Sequence, residues 1–231
     1  MEQEPKLNLK IESGELDMNL LEQQVSVKIE QYKKLPIIIK AFELLDQLPE
    51  KLIYHNLAHT EDVLHETILF GLMNGRSEEE LERNAVAASW HDVGFTVRPN
   101  NNEVIAVELF EKENAKNPLK YAKDIKTIIL DTTVRKTQKG LEIIMSDKIS
   151  EDVLDADLSN LGRPDFWEKR EAIAKEYGID WDNINERLVF LKDTLSLAKN
   201  HKWRTQGSTT LRQEQKEKNI IEMEKEITSL E

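Results

Sequence analysis

Apolar residues recur along this chain in steps of three and four. Ile37, Ile38, Ala41, Phe42 and Leu45 share one face of a helix. So do Val63, Leu64, Ile68 and Leu72, and then Leu81, Ala85, Val86 and Ser89. The clearest run is Trp181, Ile184, Leu188, Leu191, Leu195 and Ala198. Residues 211–230 carry an Ile/Met/Leu stripe among Glu and Lys, which predicts a closing amphipathic helix able to pair two copies as a homodimer. Ser77 followed by Glu78, Glu79 and Glu80 reads as a capped helix start whose acids match the helix dipole. Pro36, Pro49, Pro99, Pro118 and Pro164 stand between the periodic segments, where a helix can begin or stop. Residues 127–134 are β-branched enough to suggest a strand. No partner strand is evident, so a helix running into a loop is expected there. Residues 1–18 are expected to form a flexible N-terminal tail, and 19–231 a single all-α domain, a bundle of roughly nine to eleven helices.

Charge and composition narrow the functional classes. The net charge of −12 argues against a partner held by its phosphate backbone, so no nucleic acid is expected. The same charge repels anionic substrates at long range, so a phosphorylated substrate would need local positive charge such as a metal ion. The chain has no cysteine, which removes disulfides, thiolate nucleophiles and Cys-ligated metals. Any metal must be held by His and carboxylates. No apolar run approaches the about 18 residues of a membrane span, and Met1–Asn19 lacks a signal-peptide core, so a cytoplasmic location without membrane association is expected.

Three segments carry candidate chemistry. In Tyr54-His55-Asn56-Leu57-Ala58-His59, the two histidines are four apart and face one side of a helix or of its first turn. They can bind one metal jointly, or one can ligate while the other handles a proton. Asp62, three residues on, could orient the His59 ring. In Ala87-Ala88-Ser89-Trp90-His91-Asp92-Val93-Gly94, an apolar helix meets a His-Asp pair and then a helix-ending glycine. That places the pair at the mouth of a cavity, where a metal would offset the cost of a buried carboxylate. In Leu154-Asp155-Ala156-Asp157-Leu158, two acids lie two apart, and only one can point inward from a helix. Such nitrogen and oxygen donors suit Mn, Fe, Zn or Mg. Of the remaining histidines, His65 falls on another helical face. His201, with Trp203 and Arg204, reads either as a stacking wall for a purine or as a helix-end aromatic cluster.

Taken in order, His59, His91-Asp92 and Asp157 on helices resemble the HD superfamily of metal-dependent phosphohydrolases over residues 35–230. The Tyr-His-Asn-x-x-His-x-x-Asp-Val segment at 54–63 resembles class I cyclic-nucleotide phosphodiesterases. The run at 155–162 is closer to small bacterial HD phosphohydrolases that lack an assigned substrate. The resemblance implies that His59, His91, Asp92 and Asp157 bind one divalent ion or two, with Asp155 competing for the fourth place. It implies that His55 is a general acid and that Glu103, beside Asn102, orients water or supports the ligands. A first-turn helix acid is the alternative for Glu103. Asp92 would join catalysis through its second oxygen. The implied reaction is cleavage of a phosphate ester, of a nucleotide or another small phosphorylated molecule, by metal-activated water. Two departures stand out. Val93-Gly94-Phe95 replaces the His-Pro-Gly of the phosphodiesterases, and Thr132-Thr133-Val134-Arg135-Lys136 lacks the histidine common in the bacterial group. These missing ligands motivate a second reading, a catalytically silent nucleotide-binding or metal-stabilised regulatory module.

Overall fold

The computed structural model describes residues 17–138 and 140–231. The expected tail therefore lies outside the described residues up to position 16, and Asp17 already caps the first helix. Among the described residues the chain forms ten α-helices and one two-stranded sheet, the all-α fold that the periodicity predicts. In order these are α1 (Met18–Tyr32), α2 (Pro36–Leu45), α3 (Leu57–Met73), α4 (Glu78–Trp90), α5 (Asn102–Asn114) and α6 (Ala122–Asp131). The hairpin β1 (Val134–Thr137) and β2 (Gly140–Ile143) follows, then α7 (Glu151–Asp157), α8 (Phe166–Glu176), α9 (Ile184–Asn200) and α10 (Gln206–Leu230). None of the described helices is long and apolar enough to cross a membrane.

Helix α3 is the axis of the packing. Val63, Leu64, Ile68, Leu69 and Phe70 are all buried, and α1, α4, α7 and α10 pack around them. Helix α4 starts with the predicted capping box between Ser77 and Glu80. Its far end is fixed by Trp90, whose indole N–H donates to the Ile37 carbonyl at 3.0 Å. A second, smaller cluster joins Leu158, Phe166, Leu197, Ala198 and Met223, and seats α9 and α10 against the end of α7.

Two segments depart from expectation. Residues 127–131 are helical, but the chain then turns into an antiparallel hairpin with Val134 opposite Ile143 and Thr137 opposite Gly140. The partner strand was hidden because Leu141-Glu142-Ile143 is short and nowhere fully buried. Gly140, at φ +110°, supplies a conformation that other residues rarely adopt. In α9 the apolar stripe is only half used. Leu191, Thr194, Leu197 and Ala198 are buried, whereas Ile184 and Val189 are exposed because the N-terminal half overhangs a cavity.

Candidate metal centre

His59 is placed by the cap of α3. The Asn56 side chain accepts from the His59 N–H at 3.2 Å, and its own amide donates to Ile53 O at 2.7 Å. The helix therefore starts one residue after Asn56 and carries His59 in its first turn. His55 precedes the cap, yet its ring lies 5.7 Å from that of His59, edge to face. The two imidazoles thus meet at the first turn.

His91 and Asp92 follow the last residue of α4, in the wall of a cavity of about 350 Å³. Gly94 serves here by close approach. Its φ is not positive, so it is no left-handed helix cap, contrary to its reading as a helix-ending residue. A Cβ at this position would collide with the Asn102 carbonyl, so the missing side chain lets α5 press against the turn after the pair. Asn102 is buried beside Asp92, and its amide lies 3.4 Å from Asp92 Oδ1.

Three side chains converge at this point. His59, His91 and Asp157 place one donor atom each within 4.8 Å of one another, a group that could hold a metal ion. His59 Nε2 lies 3.3 Å from Asp157 Oδ1, and His91 Nε2 lies 3.7 Å from it. Asp92 stands against the same atoms, with Oδ2 3.2 Å from His91 Nε2 and 3.5 Å from His59 Nε2. Metal–ligand bonds of about 2.1 Å place neighbouring donors about 3.0–3.4 Å apart, so the cluster is close to a ligand set in size. Its hydrogen bonding agrees. His91 Nδ1 faces the Ala88 carbonyl at 2.7 Å and must donate to it, because a carbonyl only accepts. His91 Nε2 and Asp92 Oδ2 are buried and, although 3.2 Å apart, make no hydrogen bond of good geometry with each other or with any other group. Orphaned buried polar atoms of this kind are what a bound cation would satisfy.

Electrostatics point the same way. Burial opposes a charged His91 ring, but the Asp92 carboxylate, joined by Asp157, more than offsets it and raises the pKa to about 9. Burial likewise works against the Asp92 anion, yet His91 holds that carboxyl well below its usual range. His59 is pulled down by its burial. A cation could take the place of the proton on His91 Nε2.

The paired acids of α7 make different contacts. Asp155 is fully buried and accepts from the N–H groups of Arg204 and Thr205 at 2.8 and 3.0 Å and from the Ser208 hydroxyl at 2.6 Å. It anchors the start of α10, and Asp157 alone joins the histidines. Asp62 does not orient His59. It pairs with Lys169 at 2.8 Å and Arg163 at 3.5 Å and ties α3 to the start of α8.

His55 is held from two sides. Its ring stacks on Phe95 with centroids 4.7 Å apart, and its Nδ1 hydrogen-bonds Glu176. The other oxygen of Glu176 accepts from the N–H groups of Tyr54 and His55, at 2.8 and 3.0 Å. Burial lowers the His55 pKa, but the Glu176 hydrogen bond and the carboxylates of Asp92, Glu176 and Asp157 outweigh it and raise it. Glu176 escaped the sequence reading, although a carboxylate on the last residue of a helix opposes the dipole there and is a usable signal. Glu103 lies in the first turn of α5, the position of a first-turn helix acid, and also lines the cavity of His91, Asp92 and Asp157. Burial, then Asp92 and Asp157, raise its pKa.

The remaining candidates lie apart from the cluster. Arg135 and Lys136 are exposed on β1. His65 binds Glu22 at 2.8 Å and joins α3 to α1. His201 and Trp203 meet edge to face at 4.5 Å, with the Lys216 ammonium 5.4 Å from the Trp203 ring, a cluster at the end of α9. Compared with models of protein families, with curated proteins and with solved structures, the chain matches none.

Proposed function

We propose that the chain is a metal-dependent phosphohydrolase of the HD type that cleaves a phosphate ester with water. The observation that carries this reading is the orientation of His91. Its Nδ1 is committed to the Ala88 carbonyl, and its unpartnered Nε2 meets His59 Nε2 and Asp157 Oδ1 beside an unpartnered oxygen of Asp92. The ordered set of two histidines and two aspartates on helices supports the family assignment. His59, His91 and Asp157 would hold the ion, with Asp92 completing the set. A divalent ion so held supplies Lewis-acid charge for a phosphoryl oxygen and acidifies water near ~7.

The other roles belong to side chains around this group. His55 donates through Nδ1 to Glu176, which leaves Nε2 to carry a proton, and its raised pKa keeps it charged enough to protonate a leaving oxygen. Glu103, in the wall of the same cavity, orients the attacking water. The substrate is a small phosphorylated molecule, and nucleotides are the first class to screen. Purified protein should contain a divalent ion by elemental analysis and release phosphate from some member of a phosphoester panel with Mn²⁺. Chelator should abolish the release and Mn²⁺ restore it. Absence of metal in the wild type, together with no turnover across the panel, refutes the reading.

A further inference from the structure

A second cavity, of about 620 Å³, opens beside the metal group, and His55, Val134, Asp157 and Tyr177 line both cavities. Its walls come from β1, β2, α8 and α9 and are mostly aliphatic and aromatic, with Leu141, Ile173, Ile179, Val189, Phe190 and Leu197 among them. The volume falls within the range of small-molecule sites, about 300–1,000 Å³. The rim is apolar and open to solvent: Tyr177 and Val189 are each 62% exposed, and Val134 is 43% exposed. Clustered exposed apolar residues around a concave site mark a place that covers them with a ligand.

Arg170 sets the charge at the inner end. It lines this cavity and is only 6% exposed, yet no carboxylate among the described residues pairs with it. Its Nη2 donates to Asn160 Oδ1 at 2.8 Å, its Nε has no partner, and Phe166 lies under the guanidinium at 5.7 Å. Asn160 also donates to the Tyr54 hydroxyl, and the Tyr54 ring packs 4.5 Å from that of His59. Arg170 is therefore three contacts from His59. A buried guanidinium without a counter-ion is costly, and an anionic ligand group removes that cost. On the α9 wall the charge has the opposite sign. Glu186 and Asp193 line the cavity there and disfavour a second anionic group.

We propose that this cavity selects a phosphomonoester of an apolar alcohol, aromatic or branched aliphatic. The single anionic head lies between Asp157 and Arg170, and the apolar body lies against α8 and α9. The proposal rests on the phosphohydrolase reading for its chemistry and narrows the nucleotide expectation. A ribose would meet aliphatic walls where its hydroxyls need partners, and a polyphosphate would meet Glu186 and Asp193.

The test is calorimetric binding of three non-hydrolysable probes to the Mn²⁺-loaded full chain: (2-naphthylmethyl)phosphonate, methylphosphonate and the 5′-methylphosphonate isostere of adenosine monophosphate. The naphthyl probe is expected to bind at least tenfold tighter than either of the others. Val189→Asp, at a solvent-facing position that leaves the core intact, is expected to bring the naphthyl and methyl probes within about threefold of each other. Arg170→Gln is expected to weaken all three. If Arg170→Gln does not fold, the Val189 variant decides alone. A naphthyl probe no tighter than methylphosphonate, a nucleotide probe that binds tightest, or a preference that survives Val189→Asp overturns the assignment. Phosphate release from 2-naphthyl phosphate, measured in parallel, separates the two ideas. Selective binding without turnover of any ester sinks the hydrolase and keeps the pocket, whereas turnover without selectivity does the reverse.

Discussion

Asp155 and Asp157 differ by two positions on one short helix, and the structure gives them different surroundings that a pair of substitutions can probe. Asp155→Ala strands two backbone donors, the N–H groups of Arg204 and Thr205, and removes the Arg204 ion pair, while the Ser208 hydroxyl keeps the Thr205 carbonyl as an acceptor. Each unsatisfied donor costs about 1–3 kcal/mol. Partial water access trims the sum, so a loss of about 3–5 kcal/mol is expected, in line with breaking a buried charged contact. For a chain of this size that is roughly 10 °C in Tm. Asp157→Ala removes a carboxylate whose contacts are with His59 and His91 and that ties down no backbone N–H, so apo stability should change by less than about 1 kcal/mol. The metal response should reverse the order. A ligand at about one hundred times its Kd adds about 2.7 kcal/mol. Asp155→Ala should keep that Mn²⁺-induced shift and Asp157→Ala should lose it. Urea unfolding with and without Mn²⁺ reads both quantities. An Asp155 variant of wild-type stability that no longer responds to Mn²⁺ would refute the assignment.

Other perturbations test neighbouring features. Glu176→Gln keeps an oxygen for the Tyr54 and His55 N–H groups but removes the charge that raises the His55 pKa. Activity should fall about 10- to 100-fold, and the alkaline limb of the kcat profile should move to lower pH. Gly94→Ala drives a Cβ into the Asn102 carbonyl, and should cost about 1–3 kcal/mol in urea unfolding and weaken Mn²⁺ binding by calorimetry. Lys216 is buried, donates to the His201 carbonyl at 2.6 Å, and burial lowers its pKa to about 8. The unfolded chain binds more protons than the native one between pH 8 and the ordinary lysine range, so stability should climb with pH across pH 8–9.5. Lys216→Met should flatten that rise, and urea midpoints at the two ends of the window decide it.

Legibility followed the distance over which each feature is determined. The helices of the first half were readable because their apolar periodicity is the packing itself, as at Val63, Leu64 and Ile68. His59 and the His91-Asp92 pair were readable because the Asn56 cap and the end of α4 are local events. Two residues on a helix are about 200° apart, so one of Asp155 and Asp157 had to turn away. Which one depends on α10, about fifty residues later, and no local pattern carries that. The same holds for Glu176 and Arg170, whose partners Tyr54, His55 and Asn160 belong to other elements. The hairpin escaped because neither strand buries a full face, and Gly94 was misjudged because a close approach leaves no trace in helix-ending statistics.

The Glu176 contact joins residues 121 and 122 positions apart, a longer separation than that between His59 and Asp157. All three residues of the metal group lie at or before Asp157, within α3, the end of α4 and α7. Elements of low sequence separation pair early, and long loops close late because their entropy must be lost first. A chain that has assembled α3, α4 and α7 would already present the three donors of the candidate metal group, before Glu176 meets the His55 ring. An ion held there would weight the ensemble toward conformers on which α8 can dock. Metal supply during refolding should therefore govern the yield of native protein as well as its final stability.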